Sequence, residues 1–136
     1  MDNDSLCPCC SQKPYCECCK RYHDGAPAEN ALALMRSRYA AYALHLADYI
    51  VATTHPDNPA YSPDSSSWKK EILRFSHNTS FVGLKIVEFI DGAKSAYVTF
   101  TAYLKQNGQD ATFTEKSHFV KVGGRWFYKN CQTAGV

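Results

Sequence analysis

The chain has 136 residues, a formal net charge of +2, 45% hydrophobic and 21% charged residues. That length suits one domain with a buried core, and so small a charge gives no electrostatic reason to bind nucleic acid or a membrane surface. No apolar run approaches the roughly eighteen residues of a transmembrane helix, and the acidic start MDNDSLCPCC is not laid out as a secretory signal.

In chain order the cysteines come first. Six of the seven crowd into CPCCSQKPYCECC, Cys7 to Cys19. A chain without an export signal is expected in the cytoplasm, where thiols stay reduced and disulfides are rare. Clustered thiolates then suit one structural Zn²⁺, which favours four soft ligands in a closed tetrahedron. Pro8, Ser11 and Pro14 supply the tight turns such a cage needs. Two ligand sets fit the spacing: Cys7, Cys9, Cys18 and Cys19, or Cys7, Cys10, Cys16 and Cys19 as two C-x-x-C pairs. His23 stands close enough to replace one sulfur. A redox pair is the competing reading, but C-x-x-C redox motifs belong to a βαβ context absent here. A tetrathiolate zinc site carries a net charge of about −2, which brings the chain near neutrality, with Lys13, Lys20 and Arg21 alongside.

Gly25-Ala26-Pro27 breaks the chain and divides it into segments 1–24 and 25–136. In NALALMRSRYAAYALHLADYI, Leu32, Met35, Tyr39, Tyr42, Leu46 and Tyr49 recur every three or four residues. This spacing predicts a long amphipathic helix bent near Asp48. Its Arg36 and Arg38 are two apart and point in different directions. One is expected in solvent, the other beside a carboxylate such as Glu115. A Pro- and Ser-rich loop, His55 to Ser67, leads into a short capped helix, WKKEILRFSH. Four strands follow, VGLKIVEFI, SAYVTFTAYL, ATFTEKSHFVKV and RWFYKN, separated by Asp91-Gly92, Asn107-Gly108 and Gly123-Gly124. The result is an α+β domain, helices packed on a four-stranded antiparallel meander. In the second strand, Ala96, Val98, Phe100, Ala102 and Leu104 share one face. Tyr97, Thr99, Thr101 and Tyr103 share the other, an outer face, a dimer surface or a pocket wall. Trp126, Phe127 and Tyr128 read as core and sheet residues, and Cys131 as a plain thiol.

The cysteine stretch resembles the SEC-C motif, roughly CPCGSGKKYKKCC, which also ends the translocase SecA. Cys7, Pro8, Cys9, Ser11, Lys13, Tyr15, Cys18 and Cys19 match it, while Cys10 and Gln12 stand where it has glycines. The resemblance implies Cys7, Cys9, Cys18 and Cys19 as the zinc ligands, with Cys10, Cys16 and His23 as alternatives. Downstream, RYHDGAPAENALALMRSRYAAYALHLADYIVATTHP, EKSHF and GRWFY are similar to the YchJ-type bacterial proteins. That likeness implies a SEC-C module followed by a domain of nuclear transport factor 2-like fold, a conical α+β half-barrel. It also implies a role. The SecA motif docks a chaperone and ribosomes, so a protein-interaction adaptor near translation or export is the leading expectation, with Lys13, Tyr15, Lys20 and Arg21 as its contact surface. A homodimer through the sheet is a further expectation.

Domains of that fold include isomerases and dehydratases with a buried Asp or His base. The rival expectation is therefore an enzyme or small-ligand binder using the cone. Its candidate polar residues are Asp48, His55, Glu88, Glu115 and His118, whose spacing matches no catalytic constellation.

Overall fold

The computed structural model describes residues 5–133. Its N-terminal knuckle is a tight hairpin in which Tyr15 N–H donates to Ser5 O (2.8 Å) and Cys7 N–H to Lys13 O (2.9 Å). A 3-10 turn, Tyr15–Glu17, and a four-residue helix α1, Lys20–His23, complete it.

Asn30 starts helix α2, Ala31–Ala43, by accepting the Ala33 N–H on its side chain at 2.8 Å, which satisfies a donor the helix cannot. The helix is buried on most of its circumference and so is not the amphipathic element its sequence spacing predicts. The knuckle covers one side, the following helices another and the sheet a third, and a helix enclosed in this way needs no polar face. Nor does it continue to Asp48. His45 adopts φ +63°, His45 N–H bonds Tyr42 O (3.3 Å) and Leu46 N–H bonds Ala41 O (2.8 Å). That is a Schellman termination with histidine in the left-handed position glycine usually fills. Helix α3, Ala47–Ala52, leaves at a new angle. Helix α4, Ser65–His77, is capped by Asp64. None of these helices is long and apolar enough to cross a membrane.

One antiparallel sheet holds β1 (Thr79–Ile90), β2 (Ser95–Gln106), β4 (Phe113–Val122) and β5 (Arg125–Thr133) in that order, with two-residue β3 (Gln109–Asp110) extending β2's hairpin. Asn107 and Gly108 (φ +52° and +77°) form a tight turn with both central residues left-handed, the geometry that matches strand twist. The return strand then breaks. Asp110 Oδ1 accepts the Thr112 N–H and Thr112 Oγ1 accepts that of Leu104, so β4 begins only at Phe113, two residues later than its sequence pattern indicates. At the β1–β2 connection Gly92 passes so close to Ser95 O that a Cβ there would collide with it.

Strand β1 carries two bulges, at Val82 and Val87, each an extra residue against β2. They reset the inward phase, so that Phe81, Leu84, Ile86 and Phe89 face Leu104, Ala102, Phe100 and Val98 on β2's buried side. Bulged strands bend and twist more strongly, which curls the sheet around α2. The main core gathers Leu34, Met35 and Tyr39 of α2 with Val98, Phe100, Phe119 and Trp126 of the sheet.

Phe119→Ala is expected to cost about 3–5 kcal/mol, because Phe119 is fully enclosed at the centre of this core. Val82→Ala, on an exposed bulge, should stay within about 0.5 kcal/mol. Urea unfolding midpoints of the two variants check the contrast.

Candidate metal centre

The hairpin and the turn after it bring four sulfurs together. One Sγ each from Cys7, Cys9, Cys18 and Cys19 lie within 4.8 Å of one another. With Zn–S bonds of about 2.3 Å, the sulfurs of a tetrahedral site sit roughly 3.8 Å apart. Cys9 and Cys18 are separated by 3.6 Å, Cys18 and Cys19 by 3.9 Å. The donor set and its spacing therefore fit a four-coordinate thiolate metal.

Local backbone makes the fit possible. Cys10 N–H returns to Cys7 O at 3.2 Å, closing the first turn. Cys10 and Gln12 both hold positive φ, +64° and +70°. These are the two positions where the SEC-C motif has glycine, so the loop keeps its shape although each side chain carries a conformational penalty there. Ser11 Oγ lies 3.1 Å from Cys18 Sγ, placed to donate to that sulfur as a thiolate, and accepts from Lys13 N–H. Protons on the cluster would be shared unequally. Hydrogen bonds from Cys19 and then Cys7 hold Cys9 far below the ordinary thiol range. The bonds to Cys7 and Cys9, with burial, push Cys19 far above it.

The three alternative ligands lie elsewhere. Cys10 Sγ turns to Pro8 O, and Cys16 is exposed. His23 spends both ring nitrogens on structure. Its Nε2 faces the Ser37 carbonyl at 2.8 Å, which can only accept, so that nitrogen carries the proton. Nδ1 then accepts from Tyr15 O–H at 2.6 Å. Burial lowers the His23 pKa and favours this neutral ring. Arg36 donates from Nη1 to Cys9 O at 2.8 Å, and neither it nor Arg38 forms the expected ion pair with a carboxylate among the described residues. Ala40 of α2 shares one buried cluster with Cys7, Cys9 and Cys19. The knuckle is thus bolted to α2 on both flanks.

Of the expected contact surface, only Lys13 stands exposed without an ion-pair partner among the described residues. Tyr15 turns inward to His23, where burial raises its pKa to about 12. Lys20 pairs with Asp24 at 2.6 Å and Arg21 with Glu29 at 3.3 Å.

The five pocket candidates scatter. Asp48 is on the surface, paired with Lys69 at 2.7 Å. His55 caps its own loop through Asp57 N–H and lies edge-on to Phe127. Glu88 is exposed. His118 stacks on Tyr97 outside the sheet and bonds Ser95. Glu115 alone lines the cavity inside the cone. Arg38 lines it too, at the position where sequence offered only a generic choice between two arginines.

A family model described as YchJ, middle NTF2-like domain, matches residues 30–131. The chain belongs to the YchJ family. A UPF0225 protein of Enterobacter sp. (strain 638) is 37% identical over 126 residues, spanning 90% of this chain and 80% of that protein. Among solved structures, the YchJ-family chain is similar to a SEC-C motif containing protein from Rhodopseudomonas palustris, with 30% identity, a TM-score of 0.82, and coverage of 96% and 99% of the two chains. A SEC-C motif containing protein from Psychrobacter arcticus aligns at 27% identity and a TM-score of 0.79, covering 98% of this chain and 85% of its own. The fold is therefore nuclear transport factor 2-like, with the cysteine cluster at its N-terminal side.

Replacing Gln12 by glycine should stabilise the loop by about 0.5–1 kcal/mol, the relief of a left-handed side chain less the entropy glycine loses. Chemical denaturation in the presence of zinc measures it. Ser11→Ala is expected to lower metal affinity about ten-fold, since it removes a hydrogen bond to a ligand atom. Competition with a chromophoric chelator reads that loss.

Proposed function

We propose that this YchJ-family chain is a zinc-stabilised interaction protein. Zinc bound by Cys7, Cys9, Cys18 and Cys19 fixes the segment ending at Asp24 as a small module on the domain that begins at Gly25. The knuckle then meets a protein partner in translation or protein export. Four soft thiolates in tetrahedral spacing favour zinc over harder ions. Because sulfur fills every position, no coordination site is left to activate water, and the ion's work is structural. A segment too short to bury a core of its own takes its folding energy from the metal.

The observation that carries the reading is the clamp. His23 to Ser37 O and Arg36 to Cys9 O hold the knuckle rigidly on α2, while Gln12, Lys13, Cys16 and Glu17 remain exposed. A surface held in one conformation loses little entropy on binding. The likeness to the SecA motif supports the choice of translation or export.

Native mass spectrometry with metal analysis is expected to find one zinc per chain. Cys10→Ser and Cys16→Ser should keep it and Cys18→Ser should lose it. The same spectra report whether a second copy binds through the sheet. Affinity capture with the intact chain should recover a partner that Lys13→Glu weakens and that Cys18→Ser/Cys19→Ser abolishes. Recovery of identical partners by all three would remove the adaptor role.

A further inference from the structure

Between α2, α4 and the concave side of the sheet lies a cavity of about 200 Å³ that the metal centre does not touch. Its walls are mostly apolar, with Met35, Phe81, Phe100 and Phe119 among them. Phe75 and Phe113, both more than a third exposed, stand at its mouth. Cavities of about 150 Å³ accept a benzene ring, so this one has room for a body of that size with a short substituent.

Two charged side chains enter this apolar cup. Arg38 is only 9% exposed. Its three hydrogen bonds all leave through Nη1, to Ile50 O (3.1 Å), Thr53 Oγ1 (2.8 Å) and Thr54 Oγ1 (3.0 Å). A guanidinium has five N–H donors. Those on Nε and Nη2 meet no acceptor among the described residues. Yet no solvent-shielded side-chain nitrogen or oxygen there is left unpaired, so these donors open onto the cavity that Arg38 lines. No carboxylate lies within ion-pair distance of Arg38 among the described residues. Instead the guanidinium rests 4.7 Å from the centre of the Tyr128 ring. At the far end of that ring the hydroxyl donates to Glu115 Oε2 at 3.2 Å, and Ser117 Oγ donates to the same oxygen at 2.5 Å. Glu115 Oε1 is reached by neither of these bonds, and the protein group that lies beside the carboxyl besides them is the weakly donating thiol of Cys131.

Buried arginines are rarely left without a carboxylate. Here a cation with spare donors and a carboxylate with a spare oxygen are held apart by one tyrosine, in an otherwise greasy cup. An anion alone would meet the charge of Glu115, and an amine alone that of Arg38. A molecule bearing both an acceptor and a donor satisfies both walls. We infer that the cavity binds a small carboxylic acid with a branched or ring-shaped apolar body and an N–H or O–H donor next to the carboxylate. Apolar α-amino and α-hydroxy acids form this class. Arg38 takes the carboxylate through its planar fork, Glu115 Oε1 accepts from the donor, and the aromatic walls cover the apolar body.

The test titrates the zinc-loaded full chain with four probes that share one skeleton, observed by calorimetry and by amide shifts. They are L-leucine, 2-hydroxy-4-methylpentanoate, 4-methylpentanoate and 3-methylbutylamine. The first two should bind, the acid lacking the donor about ten-fold more weakly, and the amine not at all. The tighter of the first two identifies the donor as ammonium or hydroxyl. Arg38→Met, close in volume, should weaken both at least about ten-fold, and Glu115→Gln should erase their advantage over 4-methylpentanoate. Should a variant fail to fold, the probe series on the unaltered chain still decides. Equal affinity for all four probes, or no binding up to about 10 mM, overturns the assignment.

Discussion

Helix α2 has to satisfy three neighbours at once, and that constraint orders the rest of the molecule. Ala40 and Ser37 present almost no bulk to the knuckle, so sulfur atoms and an imidazole can approach the helix backbone. Leu34, Met35 and Tyr39 fill the curl of the sheet. Arg38 reaches across to the end of α3, whose Thr53 and Thr54 are themselves tied to β5 through Tyr128. Small, large and charged residues at different angles on one helix therefore determine what can stand on each side of it.

The cysteine cluster illustrates how a short segment borrows stability. Six thiols in thirteen residues cannot form a hydrophobic core, and four thiolates this close repel one another unless a dication lies between them. The backbone cooperates at a cost, with Cys10 and Gln12 in a conformation that side chains resist. Hydrogen bonds from Ser11 and Arg36 then hold a sulfur and a ligand's carbonyl in place. This is second-layer support of the kind metal sites need if their ligands are to stay aligned.

Much of this was legible in the residues. Asn107-Gly108 and Gly123-Gly124 are turns with both residues left-handed, and alternation in β2 sorted Val98 and Phe100 from Thr99 and Thr101. Other features were hidden for physical reasons. The break at His45 escaped because histidine there imitates a glycine C-cap, and nothing local marks it. The inward residues of β1 follow no period of two, since the bulges at Val82 and Val87 shift the phase twice. Burial around most of α2 leaves it without the polar face that its spacing predicts. In the candidate pocket, Glu115 was visible as an acidic residue on a strand. Arg38 was not distinguishable from Arg36, because only tertiary packing sends one into the cone and the other to Cys9.

Among the described residues the first strand of the sheet, twelve residues long, has no neighbour on its outer side. A straight edge of that length would serve as a template on which a stray extended chain could zip up. The two kinks cut it into runs too short for continuous pairing, and Lys85 and Glu88 add charge along it. The irregularity that curves the sheet around its helix thus also guards the protein against clumping when it is crowded or briefly opened by heat.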